Sequence, residues 1–181
     1  MRKVNAILTA AIMLLFLIHM VAGILILLGW MAGGSGILSA ISYLMAALIA
    51  VHAVIGVKLT ADTLIACKKA GVSYFRENKL FWARRISGFA VMVFLIVHIM
   101  IFMGSTQGGA YRLNLFAGAQ LVSQILMVLS IAVHVITNVK PSLISLGIRS
   151  LRDYAVDILV VLSVILLIAG AAFVVYYLRW M

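Results

Sequence analysis

Acidic residues are the scarcest charged class in this chain: four Asp and Glu stand against fourteen Lys and Arg in 181 residues, a formal net charge of +10. Those four, Asp62, Glu77, Asp153 and Asp157, lie between the apolar runs or at the end of one. A proton relay buried in the apolar segments would normally include a carboxylate, and none is there. Cysteine and proline occur once each, as Cys67 and Pro141, and there is no low-complexity segment. A lone cysteine excludes an internal disulfide and any cysteine metal cage, so a free thiol is expected.

Apolar surface is what the chain has in excess. Hydrophobic residues make up 66% of it, charged residues only 10%, and the mean hydropathy is +1.27. A soluble domain is about half apolar, so the expected class is an integral membrane protein. A crossing needs about 20 mostly apolar residues, and five stretches qualify: 6–29, 38–60, 86–104, 116–139 and 155–178. Lipid offers no partner to backbone N–H and C=O groups, so all five are expected to be helices. The fold class is therefore all-α, one transmembrane domain over residues 1–181, with the first four spans as a bundle. Gly-rich turns at 29–36 and 104–109 and polar segments at 61–85 and 140–154 separate the spans. The first run reaches Trp30, is longer than a signal-peptide core of about 7–15 residues, and carries His19. It reads as a retained span.

Lys and Arg set the orientation. Arg2, Lys3, Lys58, Lys68, Lys69, Arg76, Lys79, Arg84, Arg85, Lys140, Arg149 and Arg152 fall on one side of the five spans, and only Arg112 and Arg179 on the other. The excess marks the cytoplasmic side, which puts the N-terminus inside and the C-terminus outside a cytoplasmic (inner) membrane. Trp30, Tyr111, Tyr176, Tyr177 and Trp180 suit an outer aromatic belt; Tyr74, Trp82 and Tyr154 suit the inner one. Topology and lipid head groups account for the positive charge better than nucleic acid does, and no nucleic-acid partner is expected. The segment 61–85, with Lys68, Lys69, Tyr74, Phe75, Arg76, Glu77, Lys79 and Trp82, is the best candidate for docking a cytoplasmic partner.

The four histidines carry the functional signal. His19, His52, His98 and His134 sit one on each of the first four spans, with none in a loop. An ionisable side chain inside a membrane is costly and is by default a functional candidate. One such histidine reads equally well as a helix–helix hydrogen bond; four on four successive spans are harder to explain by packing. Counted from the span ends at about 1.5 Å per residue, His19 and His98 share one depth. His52 and His134 share another, roughly 8–12 Å nearer the cytoplasm on the same count. Two facing imidazoles at one depth suit the axial positions of a haem b iron, whereas zinc wants three or four ligands at one point. The metal ligands are thus expected to be His19 with His98 and His52 with His134, holding two haem b groups.

Gly23 and Gly56 follow His19 and His52 by four residues, on the ligand face, and leave room for a flat macrocycle; small-residue helix packing is the plainer explanation. Gly88 and Thr9 lie ten residues before His98 and His19, near the same face. Ser130, four before His134, could bond locally. Lys58, Arg85 and Lys140 inside and Arg112 outside are candidate propionate partners, against their simpler role as topology anchors. Phe16-Leu17-Ile18-His19 echoes Phe94-Leu95-Ile96-Val97-His98, a faint sign of a repeated two-helix unit.

One stretch bears a family likeness. Trp82, Ser87-Gly88 and Phe94-Leu95-Ile96-Val97-His98 resemble a segment of the cytochrome b membrane anchors of succinate dehydrogenases and fumarate reductases. The five-helix, dihaem form of that family also carries one histidine on each of its first four spans. The resemblance implies a flavoprotein subunit and an iron–sulfur subunit on the cytoplasmic face, with electrons passing between a dicarboxylate and a membrane quinone, menaquinone as the expectation. It implies the same histidine pairs, His52 with His134 for the inner haem and His19 with His98 for the outer. Trp82 and Lys58 fall near its propionate-side positions. Some dihaem members carry a buried glutamate near the fourth-span histidine; Ser130-Ile131-Ala132-Val133-His134 has none. The other readings are a different dihaem transmembrane carrier, b561-like or a gamma-type respiratory subunit, and a haem-free membrane protein.

Overall fold

The computed structural model describes residues 1–72, 78–103, 105–107, 110–113, 117–147 and 154–179, with backbone alone for Arg2, 105–107 and 110–112. Five helices are long and apolar enough to cross a membrane, the architecture of a multi-pass membrane protein. They are α1 (Arg2–Leu27), α2 (Gly36–Lys69), α3 (Lys79–Phe102), α4 (Gly118–Leu146) and α5 (Ala155–Arg179). The all-α expectation needs one addition. In the region read as a Gly-rich turn, a short antiparallel ribbon follows α3, with β1 (Ser105–Gln107) paired to β2 (Ala110–Arg112) and Thr106 opposite Tyr111. Tyr74, Phe75, Arg76, Glu77, Arg149, Arg152, Asp153 and Trp180 lie outside the described residues, as do the side chains of Tyr111 and Arg112.

The helices overrun the apolar windows, because a helix does not stop where its side chains become polar. Beyond the bilayer core its long cations reach water while their stems stay on the helix surface. Thus α2 continues through Asp62, Lys68 and Lys69, and the chain turns only where Gly71 takes φ +67°. The half-buried Cys67 on this extension is a free thiol. At the far end of the same polar segment, Asn78 caps α3, its side-chain oxygen accepting from the Phe81 N–H at 3.1 Å. The segment 61–85 is therefore helical at both ends. On α4, the Gln120 side chain accepts from the Ala117 N–H at 2.7 Å at the start, and left-handed Gly147 closes the end.

The one proline lies inside a helix, not beyond it. Pro141 sits in the last turns of α4, and its missing N–H is the one that an α-helix would give to the Thr137 carbonyl. That carbonyl instead accepts from Arg84 Nε on α3, at 2.8 Å. A residue counted as a topology anchor thus also joins two helices. Arg179 does similar work at the opposite end: its Nη1 donates to the Leu28 carbonyl at 2.9 Å and caps α1.

Packing falls into two antiparallel hairpins, α1 with α2 and α3 with α4, the second the tighter. Lys3, Lys68, Lys69, Lys79, Arg84, Arg85 and Lys140 gather toward the end where α1 and α3 begin. Close packing joins α2 to α1 alone, while α5 lies against both α1 and α4 and binds the hairpins together. Its small residues allow this approach. Ala172 and Phe173 form a core with Leu27, Ile101, Met127 and Tyr176, and Ala169 and Leu166 form another with Met20. Large apolar side chains such as Phe89, Met100 and Leu167 face outward, as lipid contact requires. Ala172 is 2% exposed, so Ala172→Leu must overpack this seam, at ~1–3 kcal/mol. A lower melting temperature in detergent is the expected result; an unchanged melt would show that α5 is not seated there.

Candidate functional site

The histidine side chains meet in two pairs. His19 on α1 and His98 on α3 have ring centres 6.2 Å apart and planes at 76°. His52 on α2 and His134 on α4 have ring centres 6.4 Å apart and planes at 88°. A metal-bound imidazole nitrogen lies about 2 Å from its ion and about 1.15 Å from its ring centre, so two imidazoles on opposite sides of one ion have centres about 6.3 Å apart. Both pairs have that separation. Among the described residues no three His, Cys, Asp or Glu side chains gather to hold a metal ion, so the donor set at each level is two imidazoles.

Every Nδ1 is engaged, each time by a group that can accept. Ser42 Oγ, 2.9 Å from His19 Nδ1, already donates to the Leu38 carbonyl. Thr9 Oγ1, 3.4 Å from His52 Nδ1, already donates to the Asn5 carbonyl. Ser87 Oγ, 3.2 Å from His134 Nδ1, donates to the Arg84 carbonyl. Gln124 Oε1, 2.7 Å from His98 Nδ1, has no hydrogen to give. A hydroxyl has one proton, and each of these three has a carbonyl of its own helix turn to receive it. With the hydroxyls donating within their own turns and the Gln124 oxygen turned to His98, each Nδ1 would carry the hydrogen, which leaves the Nε2 lone pair to bind a metal. Metal-ligating histidines usually carry such a partner on the second nitrogen.

The partners form a crossed pattern. Within the first hairpin Thr9 lies opposite His52 and Ser42 opposite His19. Within the second, Ser87 lies opposite His134 and Gln124 opposite His98. Each helix thus carries one histidine for one level and, ten or eleven residues before it, an acceptor for the other. Placing His19 on His98 sets Thr9 on Gly88, beside Ser87, and placing His52 on His134 sets Ser42 on Gln124. The two-helix repeat is therefore real in three dimensions, although the Phe-Leu-Ile echo is out of register by one residue. Ten residues of helix rise about 15 Å, so the levels lie farther apart than the expected 8–12 Å. The span ends inferred from hydropathy were displaced from the helix ends, and depth counted from them inherited the shift.

The other candidate residues divide. Arg85 belongs to the His52–His134 level: its guanidinium stacks on Phe81 at 5.1 Å, and its Nη1 lies 3.8 Å from where a Cβ on Gly56 would stand. It is within electrostatic reach of both His52 and His134. Trp82 meets Phe81 edge-on beside it, with ring centres 5.5 Å apart. Lys58 and Lys140 are exposed on α2 and α4. A Cβ on Gly23 would meet nothing within 4 Å. Gly88 touches His134, not its own helix's histidine, since a Cβ there would stand 3.1 Å from the His134 Cε1 atom. Ser130 is turned away and bonds its own Leu126 carbonyl. Phe102 and Phe173 enclose His98, with ring centres at 4.8 and 6.4 Å, so the fifth helix shields the His19–His98 level.

Ser42, Ser87 and Gln124 were not singled out as functional from the sequence. Their signal is register: a polar side chain ten or eleven residues before each histidine lands opposite the other histidine once two helices pair antiparallel. No family model, no curated protein and no solved structure matches this chain.

Proposed function

We propose that this chain is a dihaem cytochrome b that anchors a cytoplasmic flavoprotein and iron–sulfur dicarboxylate oxidoreductase to the membrane and passes electrons between it and a membrane quinone. The observation that carries the reading is the meeting of four half-buried imidazoles as two pairs, each with an acceptor beside its Nδ1. Two donors at each level, on opposite sides, suit a planar macrocycle that fills its own equatorial positions. When bound, haem supplies a one-electron iron couple at each level. The chain's own part is to hold the ligands, to keep water away with apolar helix faces and to stack the two levels about 15 Å apart along the helices. Arg85, Trp82 and Lys58 supply cationic and hydrogen-bonding groups for propionates at the inner level. The gathered Lys and Arg residues put the end carrying His52 and His134 on the cytoplasmic side, next to the helical ends of segment 61–85 where the partner subunits dock. The resemblance of Trp82 to His98 supports the choice of partner, and the membrane is then the inner membrane of a prokaryote.

A dithionite-reduced-minus-oxidised spectrum of the purified, haem-supplied chain tests the cofactor: a b-type alpha band with two haems per chain is expected, and a flat spectrum from folded protein would sink the reading. Co-purification from native membranes tests the partners. A flavoprotein and an iron–sulfur protein are expected; their absence with haem present favours a stand-alone dihaem carrier of the b561-like kind. Gly88→Val is expected to cost the inner haem, because its branched side chain must displace the His134 ring. Gly88→Ala asks that ring to give by only a few tenths of an ångström and should retain both haems. Pyridine haemochrome counts read the difference.

A further inference from the structure

Gln124 is fully buried, at 0% exposure, and with Ser87 it is one of two buried polar residues among those described. A buried amide is costly unless it is hydrogen-bonded, and this one sits in the second turn of a membrane-spanning helix, α4, where an apolar side chain would pack without penalty. Its neighbours suit one orientation of the amide. Gln124 Nε2 donates to Ser123 Oγ at 3.1 Å, and Ser123 Oγ donates to the Gln120 carbonyl at 2.6 Å. The serine proton is thus spent, its oxygen accepts the amide N–H, and the amide oxygen is turned to His98. The resulting bond, at 2.7 Å, is the shortest of the four Nδ1 contacts; the other three, at 2.9, 3.2 and 3.4 Å, all go to hydroxyls. A carbonyl acceptor in a low-dielectric interior polarises an N–H strongly.

We infer that Gln124 is a positioning residue for electron transfer: acting through His98, it makes that imidazole a stronger donor and holds the potential of the outer haem below the value that unassisted imidazoles would set. The inference rests on the dihaem reading above. A more basic axial ligand would stabilise the ferric over the ferrous iron, because the higher charge gains more from it, and a hydrogen bond to the ligand's other nitrogen is one of the protein's levers on haem potential. At the other level the side-chain partners of His52 and His134 are the Thr9 and Ser87 hydroxyls, at longer range, with the Arg84 carbonyl also within reach of His134. The relay through Ser123 and Gln120 makes the effect a property of one turn of α4, independent of the quinone and of partner subunits.

The test is an optical redox titration of the purified holoprotein, with the two waves assigned from His19→Ala and His52→Ala variants. Gln124→Leu removes the acceptor at similar volume. The expected result is an upward shift of the outer wave alone, about tenfold in the ferric–ferrous equilibrium, which is about 59 mV for one electron. Gln124→Glu restores an acceptor oxygen and is expected to bring the wave back to or below its original position. Gln124→Met, with similar length and a weak acceptor, stands in for leucine if that variant does not retain haem. Equal shifts of both waves, or no shift of the outer one, overturn the inference while leaving two haems in place. A wild-type chain without haem overturns the parent reading instead.

Discussion

His134→Ala should leave one haem per chain, and it should be the same haem that remains in His52→Ala. His19→Ala and His98→Ala should likewise agree with each other and lose the other haem. The pairing follows from the ring-centre separations of 6.4 Å and 6.2 Å, because each iron would draw one ligand from each hairpin. Loss of an axial imidazole is the largest single perturbation available to these sites, and the expected readout is half the haem content with one titration wave gone. Imidazole added during haem loading should restore part of the lost content if the fold is intact, which separates ligand loss from collapse of the bundle. The ring planes stand at 76° and 88°. Near-perpendicular axial imidazoles give strongly anisotropic low-spin ferric signals, so electron paramagnetic resonance should show two such signals in the wild type and one in each variant. Different haems lost within one pair would refute the pairing.

Arg84→Ala should lower stability by about 1.5–3 kcal/mol, the range for a hydrogen bond to a charged group, and the loss should shrink when Pro141→Ala is made as well. The reason is local. Pro141 has no N–H for the Thr137 carbonyl, and Arg84 Nε donates to it at 2.8 Å. With alanine at 141 the helix can satisfy that carbonyl itself, so the arginine's contribution falls. A double-mutant cycle on thermal unfolding in detergent measures the coupling. Additive effects would mean that Arg84 acts as a charge at the membrane surface and not as a donor to α4.

Much of this architecture is legible in the sequence because membranes simplify the problem: long apolar runs must be helices. The placement of His19, His52, His98 and His134 on four different runs leads to two levels once alternating directions are counted. Three things are not legible. Helix ends do not follow hydropathy, since Lys68 and Lys79 continue or begin helices as readily as Leu does. Ser42, Thr9 and Ser87 look like ordinary hydroxyls that bond their own helix turn, which they also do; their second contact appears only when the antiparallel register is known. Arg84 and Pro141 each have a commoner role, a charged anchor and a helix terminator, that hides their joint one. The β-ribbon after α3 has no hydrophobic alternation to announce it.

The crossed arrangement of the hairpins also bears on how the protein is made. The first hairpin, α1 with α2, has within itself the partners of both of its imidazoles, Thr9 and Ser42, yet it holds one ligand for each level and completes neither. The second hairpin finishes both together. On the dihaem reading, a nascent chain halted after α2 captures no cofactor at all, not one of two, and filling of the sites waits until α4 has been synthesised. On the same reading free haem would meet a membrane intermediate with two half-built sites, and maturation would be a single late event, not a stepwise one.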